Sequence, residues 1–397
     1  MRKLCFYTRT WNRAETLELT VESRASEIIK YGLDRDICIF IIDNQSDDQT
    51  PRVCKKLQNK YPFIVVWRSP EWKKQEELFD IPADVLKNVE SEFYWLFGDD
   101  DILLKDTLPI VWKVLNSKEA SESIIIHSGH ALLTPHSYKY YSGIVADFAN
   151  SMGFNQYIGW GASLILNHRA KLDLLYPKFP VDFFDKYYKQ YRTAAFSYVL
   201  TILHLHSDDK SIVIDYPVCE PLKHVDPKTA DRWEFENVGW RYFLFAKYLK
   251  MMYDEGILKK KLKAKFFKYL THYLWERFIG EMIASRLGLY TRNPRPDEGW
   301  DYTLSIAEII EEEEVAEEIR STVNKARALC KEYEKLKSEI ELKTSANQPK
   351  RDTELKWLNM RLENTKKQLL DIYQKCNTPK FQSGWAGEGM EDKILKL

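Results

Sequence analysis

Ile37 to Ile42 is an unbroken apolar run, Ile-Cys-Ile-Phe-Ile-Ile, and it constrains this chain more than any other segment. It is too short for an ordinary helix, and a strand with one face in solvent would alternate apolar with polar residues. The run therefore reads as a strand buried on both faces, the position of a central strand in a parallel sheet covered by helices. Its surroundings agree. Lys3 to Tyr7, Phe63 to Trp67 and Phe93 to Phe97 read as further strands. Arg13 to Lys30, a segment from Thr50 through Leu57 and Ile81 to Val89 read as helices, with Thr50 as a cap and Pro51 in the first turn. Strand and helix alternating in this way predict an α/β layer with a mostly parallel central sheet. Each strand stops at a polar loop, and the carboxyl ends of such strands are where ligands bind.

The rest of the chain changes character twice. From Ile124 to about Cys219 the pattern is mixed, with short strands at Ile124 to His127, Ser163 to Leu166 and Ile212 to Ile214 and a helix from Ala194 to His206. From about Arg232 it is helical, over Trp240 to Met252 and Leu258 to Ile283, until Asn293-Pro294-Arg295-Pro296 breaks it. In the tail Ile319, Val323, Ala326, Cys330, Tyr333 and Ile340 keep heptad spacing, with Lys337 in one slot. Leu355, Leu358, Leu362, Leu369 and Ile372 repeat it after a break at Thr344 to Pro349. This predicts an α-helical C-terminal region with a coiled-coil hairpin, or two amphipathic helices packed back on the body.

Charge and cysteine usage narrow the partners. With 59 Lys+Arg against 59 Asp+Glu, no net field favours DNA or RNA, so a nucleic-acid partner is not expected. Six cysteines without a CxxC pair argue against a zinc knuckle or disulfide framework and fit a reducing cytoplasm. No export signal is read at the N-terminus, and no apolar stretch approaches the ~20 residues of a membrane-spanning helix.

The sharpest chemical signal is Gly98-Asp99-Asp100-Asp101, three carboxylates placed directly after the apolar strand Tyr94-Trp95-Leu96-Phe97. Adjacent anions repel, so the cluster needs a cation, and hard oxygen ligands suit Mg²⁺ or Mn²⁺, above all where the ion also meets substrate phosphates. The plainer alternative is a turn in which one aspartate caps a helix starting near Asp106 or Thr107.

Three segments in the right order resemble family 2 glycosyltransferases. Tyr7-Thr8-Arg9-Thr10-Trp11-Asn12-Arg13 is similar to the Thr-x-Asn-Arg loop after their first strand. Ile41-Ile42-Asp43-Asn44-Gln45-Ser46-Asp47-Asp48-Gln49-Thr50 is similar to the Val-Asp-Asp-Gly-Ser-x-Asp-x-Thr segment after their second. Tyr94 to Leu104 resembles the Asp-x-Asp segment of the GT-A nucleotide-sugar fold. The resemblance implies a GT-A domain over residues 1–230, with 1–115 as the nucleotide-binding half and 116–230 as the acceptor half. A basic, aromatic helical region (231–300), a helical hairpin or coiled coil (301–376) and a C-terminal tail (377–397) follow. It implies that Thr8, Arg9, Thr10, Asn12 and Arg13 line the nucleotide, and that Asp43 accepts a hydrogen bond from a uracil or thymine imide N–H. Asn44, also placed beside the donor by the resemblance, stands where the family has its second aspartate. Asp99 and Asp100 would meet donor and metal, and Asp101 metal. Asp43 has an alternative as an Asx-type turn residue.

The acceptor half is sparser. Gly159-Trp160-Gly161-Ala162-Ser163 resembles the glycine- and aromatic-containing segment bordering the acceptor sugar, where Trp160 would stack on a sugar face or else serve as a core residue. Inverting members use a carboxylate base, often within a Glu-Asp pair. That pair is missing, which leaves Asp182 and Asp185 as base candidates. His224, after the last strand, is a candidate metal ligand or a surface residue, whereas His127, His130, His204 and His206 lack ligand spacing.

The leading expectation is thus a metal-dependent transferase moving a sugar from a UDP- or dTDP-sugar to a saccharide or lipid-linked saccharide in surface polysaccharide or glycoconjugate synthesis. The alternative is a non-catalytic GT-A-like scaffold presenting its helical tail to a partner. A nucleotidyltransferase ranks third, because Thr8 to Arg13 holds no glycine for a pyrophosphate loop. Eight lysines between Lys247 and Lys268, interleaved with aromatic and aliphatic residues, suit peripheral contact with the inner face of an anionic membrane or the solvated outside of packed helices. The C-terminal helices offer a route to a homo-oligomer.

Overall fold

The computed structural model describes residues 1–71, 81–130, 140–175, 197–222, 238–269, 271–289, 295–345 and 352–380. The chain divides into two units, one built on Met1–Ala230 and one on Asp231–Gln382. In the first, β1 (Arg2–Thr10), β2 (Ile37–Asp43), β3 (Ile64–Arg68) and β4 (Ser91–Leu96) run parallel in the order β3-β2-β1-β4. Every residue of β2 is buried, as its sequence predicts. Ile37, Ile39 and Ile41 share a core with Leu17, Val21, Ala25 and Ile28 of α1 (Ala14–Lys30). Cys38, Phe40 and Ile42 share the core of the opposite face with Ile81, Leu86 and Val89. Each such isoleucine contributes about 2 kcal/mol of burial, so this strand cannot slip register without exposing both sets.

Beyond β4 the sheet turns mixed. β8 (Leu164–Asn167) is antiparallel to β4, and β6 (Ile125–His130) is antiparallel to β8. β9 (Lys210–Pro221) is parallel to β6, while β7 (Tyr140–Ile144) and β5 (Asp101–Leu103) both run antiparallel to β9. The mostly parallel sheet expected from the sequence is therefore confined to its first half. The link Phe97–Asp100 is far shorter than the dozen or so residues a parallel crossover needs. β5 consequently leaves β4 and pairs with the end of β9, Asp101 opposite Pro221 and Leu103 opposite Cys219.

The second unit holds α3 (Val238–Asp254), α4 (Leu274–Arg286), α5 (Glu298–Ile309), α6 (Glu313–Ser345) and α7 (Asp352–Asn377). The expected helix from Leu258 to Ile283 is not one helix. Ala264–Phe267 forms a single 3-10 turn, and Lys268–Tyr269 pairs with His272–Tyr273 before α4 begins. The reason is that Leu262 spends its backbone elsewhere: its N–H donates to Ile309 O at 2.8 Å and its carbonyl accepts from Glu311 N–H at 2.9 Å. The rings expected at a membrane surface are also inside, since Tyr248, Leu249, Met252, Leu258, Leu262, Phe266 and Phe267 are buried. Lys250 pairs with Asp254 at 2.6 Å and Glu308 at 2.9 Å, and Lys268 is buried. No helix among the described residues is long and apolar enough to cross a membrane.

α6 and α7 run antiparallel, because Lys343 pairs with Glu354, Glu332 with Arg361 and Glu318 with Lys375. The seam differs from the heptad reading near the middle of α6. Leu336 is buried, Lys337 is exposed and Tyr333 is only half-buried. The lower turns instead rest on their own unit, with Arg286 of α4 at 2.9 Å from Glu334 and Asp301 of α5 at 2.9 Å from Arg327. The Asn293 to Pro296 break is described only from Arg295 on, and the tail only to Lys380.

Candidate active site

Because β1, β2 and β4 are adjacent and parallel, the loops at their carboxyl ends are neighbours. The first two interlock. Asn12 adopts the left-handed region at φ 52°, which asparagine tolerates better than most residues, and its N–H donates to Ser46 Oγ at 2.9 Å. Its side chain and Asp47 exchange two hydrogen bonds, Asn12 Nδ2 to Asp47 Oδ1 at 2.6 Å and Asp47 N–H to Asn12 Oδ1 at 3.0 Å. Arg13 N–H donates to Thr50 Oγ1 at 3.0 Å. Thr50 is thus the first residue of α2 (Thr50–Lys60) rather than its cap, and its hydroxyl serves the neighbouring loop.

Asp43 ends β2 opposite Thr10 and is only 1% exposed. Its Oδ1 accepts from Ser46 N–H at 3.0 Å, which is the turn contact weighed as the plainer role. Its Oδ2 has no hydrogen-bond partner among the described residues and faces Arg68 Nε at 3.6 Å. One acceptor atom is therefore spent on the turn and one is left for a donor from outside, and a buried carboxylate oxygen in that state is where an N–H ligand gains most. Asn44 donates its N–H to Thr10 O at 3.0 Å, and Arg68 reaches Ser46 O at 2.8 Å.

The third loop carries the aspartates. Arg13 Nη1 stands 2.8 Å from Asp99 Oδ1 and 2.8 Å from Asp100 Oδ2, so the guanidinium of the first loop bridges both carboxylates of the third. Burial pushes the Asp99 carboxyl up to about 6, with Arg13 opposing the shift and Asp100 adding to it. Asp101 turns back instead: Gly98 N–H donates to its Oδ2 at 3.1 Å. Burial, and after it the charge of Asp100, push its carboxyl up to about 8. None of the three caps the next helix. A Cβ at Gly98 would run into Asp101 Oδ2 and Asp100 Oδ1, so any side chain there makes both carboxylates turn away.

Beneath the loops lies a residue the motif reading passed over. Arg24 of α1 is fully buried, donates to Thr8 Oγ1 and to Thr20 O at 3.1 Å, and lies over the Phe97 ring at 4.7 Å. Thr20 in turn donates to Asp99 O at 3.0 Å. Burial lowers the Arg24 guanidinium to about 9, against the pull of Asp101 and Asp99. Thr8 is therefore a support under the site, fully buried with its hydroxyl held by Arg24. The signal for Arg24 was present in the sequence as a charge on the apolar stripe of Leu17, Val21 and Ile28. Arg9 is half-buried on the opposite face of β1 from Thr8 and Thr10.

Trp160 is half-buried against the core of the first unit, in a segment laid over β4 by the 2.7 Å bond from Trp95 Nε1 to Ala162 O. Gly159 has no room for a Cβ, which would meet the Asn155 backbone at 2.6 Å. Asp182, Asp185 and His224 lie outside the described residues. His127 and His206 are core residues, bonded to Tyr157 O at 2.9 Å and Asp209 Oδ2 at 2.8 Å.

Two carboxylate oxygens aimed at one cationic atom fit a hard divalent ion, which is commonly held by one or two carboxylates with phosphates and water completing its shell. No three His, Cys, Asp or Glu side chains among the described residues converge on one ion position.

Residues 6–153 match the family model described as glycosyl transferase family 2. Over 115 residues the chain is 32% identical to abequosyltransferase RfbV of Salmonella typhimurium, a stretch that is 29% of this chain. It is 33% of that protein, so the match spans about a third of the curated relative's length. Among solved structures, residues 1–349 of S. aureus TarS in complex with UDP are 12% identical with a TM-score of 0.48, over 94% of this chain and 91% of that one. A mannosyltransferase from Pyrobaculum calidifontis in complex with GDP-Man and Mn²⁺ is 11% identical with a TM-score of 0.42, over 95% and 87%.

Proposed function

We propose that this chain, whose residues 6–153 match the glycosyl transferase family 2 model, is a member of that family and transfers a sugar from a nucleoside-diphosphate sugar, UDP- or dTDP-linked, to a saccharide or lipid-linked saccharide acceptor. The observation that carries the reading is the pair of unlike sites at the carboxyl ends of adjacent strands. Among the described residues Asp43 Oδ2 is a buried acceptor without a hydrogen-bond donor, suited to an imide N–H, and Asp99 and Asp100 aim two carboxylate oxygens at one positive centre. A ligand with a hydrogen-bonding base at one end and a diphosphate needing a cation at the other matches both.

Within this reading Asp99 and Asp100 hold Mn²⁺ or Mg²⁺, which when bound neutralises negative charge on the departing diphosphate. Arg13 supplies positive charge beside them, and Arg68 supplies it beside Asp43. Asp43, braced by Ser46 N–H, orients the base, and Asn12 with Asp47 fixes the loop that carries Arg13. The product belongs to surface polysaccharide or glycoconjugate synthesis.

Calorimetric titration of the full chain with UDP and with dTDP in the presence of Mn²⁺ tests the donor half of the proposal, and absence of heat with both refutes it. Incubation with a panel of nucleotide sugars then separates an enzyme from a nucleotide-binding scaffold. An enzyme releases free sugar slowly without acceptor, whereas a scaffold releases none from any donor.

A further inference from the structure

We propose that Arg13 is a displaceable counter-ion, which holds the Asp99–Asp100 pair until a divalent cation and a diphosphate arrive together and then transfers its guanidinium to the diphosphate. This rests on the assignment of Asp99 and Asp100 as the ion's ligands. The geometry forces the competition. Both ion pairs run to the same nitrogen, Nη1, at 2.8 Å each, so the guanidinium sits as a point charge between the carboxylates instead of gripping one of them as a fork. A Mg²⁺-like ion bound through the same two oxygens, ~2.1 Å from each and on the side they turn toward Arg13, would need the place that nitrogen fills. On that side the two cations exclude one another.

The backbone of Arg13 is built to stay while its side chain moves. Its N–H is held by Thr50 Oγ1 at 3.0 Å, and the preceding residue is locked to Ser46 and Asp47 by three hydrogen bonds. Asp99 is held equally firmly, by Thr20 on its carbonyl. The guanidinium, 18% exposed, can therefore leave the carboxylates by rotation about its own side-chain bonds, without disturbing the loop that carries it. A phosphate oxygen is the natural second seat for a guanidinium, and the diphosphate that would ligate the ion provides one close by. Entry of the ion without the anion strands Arg13 away from its partners. Entry of both satisfies every charge, so the two ligands favour one another's binding reciprocally.

The test is direct Mn²⁺ binding to the full chain, read by electron paramagnetic resonance of the free ion, for the wild type, Arg13→Gln and Arg13→Lys, without nucleotide and with saturating UDP. Without nucleotide, Arg13→Gln is expected to bind Mn²⁺ about tenfold more tightly than the wild type, and Arg13→Lys, which keeps the charge, to stay near it. UDP should raise the wild-type Mn²⁺ affinity about tenfold or more and that of Arg13→Gln far less. Thermal unfolding of the three proteins establishes that each is folded. Equal or weaker nucleotide-free Mn²⁺ binding by Arg13→Gln overturns the counter-ion role, as does an undiminished UDP effect in that variant. If the wild type binds no Mn²⁺ even with UDP, the ligand assignment of Asp99 and Asp100 falls, and the counter-ion role falls with it.

Discussion

Asp101→Asn is expected to stabilise the first unit, and to do so increasingly as pH rises. In the wild type, burial and the charge of Asp100 push the Asp101 carboxyl from 3.8 up to about 8. The sign follows from proton counting. Between pH 4 and pH 8 the unfolded chain has lost this proton while the folded one retains it, so stability present below pH 4 declines through that window. The slope limit is about 1.4 kcal/mol per pH unit, or ~2.7 kcal/mol between pH 5 and pH 7. Gly98 N–H at 3.1 Å and Arg24 both favour the carboxylate and are already part of that shift. We therefore expect a gain at pH 7 over pH 5 of about 1–3 kcal/mol, the asparagine Oδ1 still accepting from Gly98. Native-state hydrogen exchange of the full chain, with wild type and variant compared at each pH on peptides from β1 and β4, reads the opening of this sheet. A variant whose advantage is flat between pH 5 and pH 7, or which becomes the less stable protein at pH 7, shows that Asp101 is ionised in the fold and that Arg24 is its ion partner.

Asp100→Asn should abolish Mn²⁺-dependent release of sugar from the donor while leaving the melting temperature within a few degrees, because its side chain is 37% exposed and pairs with Arg13; retention of near-wild-type turnover would remove it from the ion site. Asp43→Ala should raise the donor KM by about tenfold with a smaller loss in kcat, since a contact to the base is made equally in ground and transition states. An unchanged donor KM takes Asp43 out of the site. Gly98→Ala drives a methyl into Asp101 Oδ2 and should cost about 1–3 kcal/mol together with Mn²⁺ affinity, measurable by urea denaturation and ion titration. Arg24→Met should destabilise the chain by about 3 kcal/mol, as it strips Thr8 and Thr20 of a buried donor and Asp99 and Asp101 of a counter-charge. Equal urea midpoints would show that Arg24 is idle.

The parallel half of the sheet was legible because its signals are local. An apolar run such as Ile37 to Ile42 has one comfortable environment, and the register of β1, β2 and β4 follows once both faces must be covered. The mixed half was not, since the antiparallel pairing of β5 and β7 with β9 depends on contacts more than 60 residues apart in the chain, Leu103 with Cys219 and Ile144 with Lys210 among them. The same holds for Leu258 to Ile283. Helical spacing of its rings is real, yet the backbone of Leu262 finds Ile309 and Glu311, and a tertiary bond outweighs a local preference of a few tenths of a kcal/mol per residue.

For the site, motif position located the loops but not the division of labour inside them. Asp99, Asp100 and Asp101 are equal in sequence, whereas the fold makes them unequal: two face Arg13 and one folds back onto Gly98. That difference arises because Asp101 is already a strand residue, paired with Pro221, so its side chain points where the pleat sends it. Thr8 and Thr10 are likewise alike in the motif, yet Thr8 answers to a helix residue sixteen positions on. A charged residue on the buried stripe of a helix is costly unless something needs it, and here two carboxylates at a strand end, Asp99 and Asp101, do. Arg24 below and Arg13 above are thus two answers to one electrostatic problem: the lower cation is sealed in place and cannot be exchanged, while the upper one is reachable by ligand and can be.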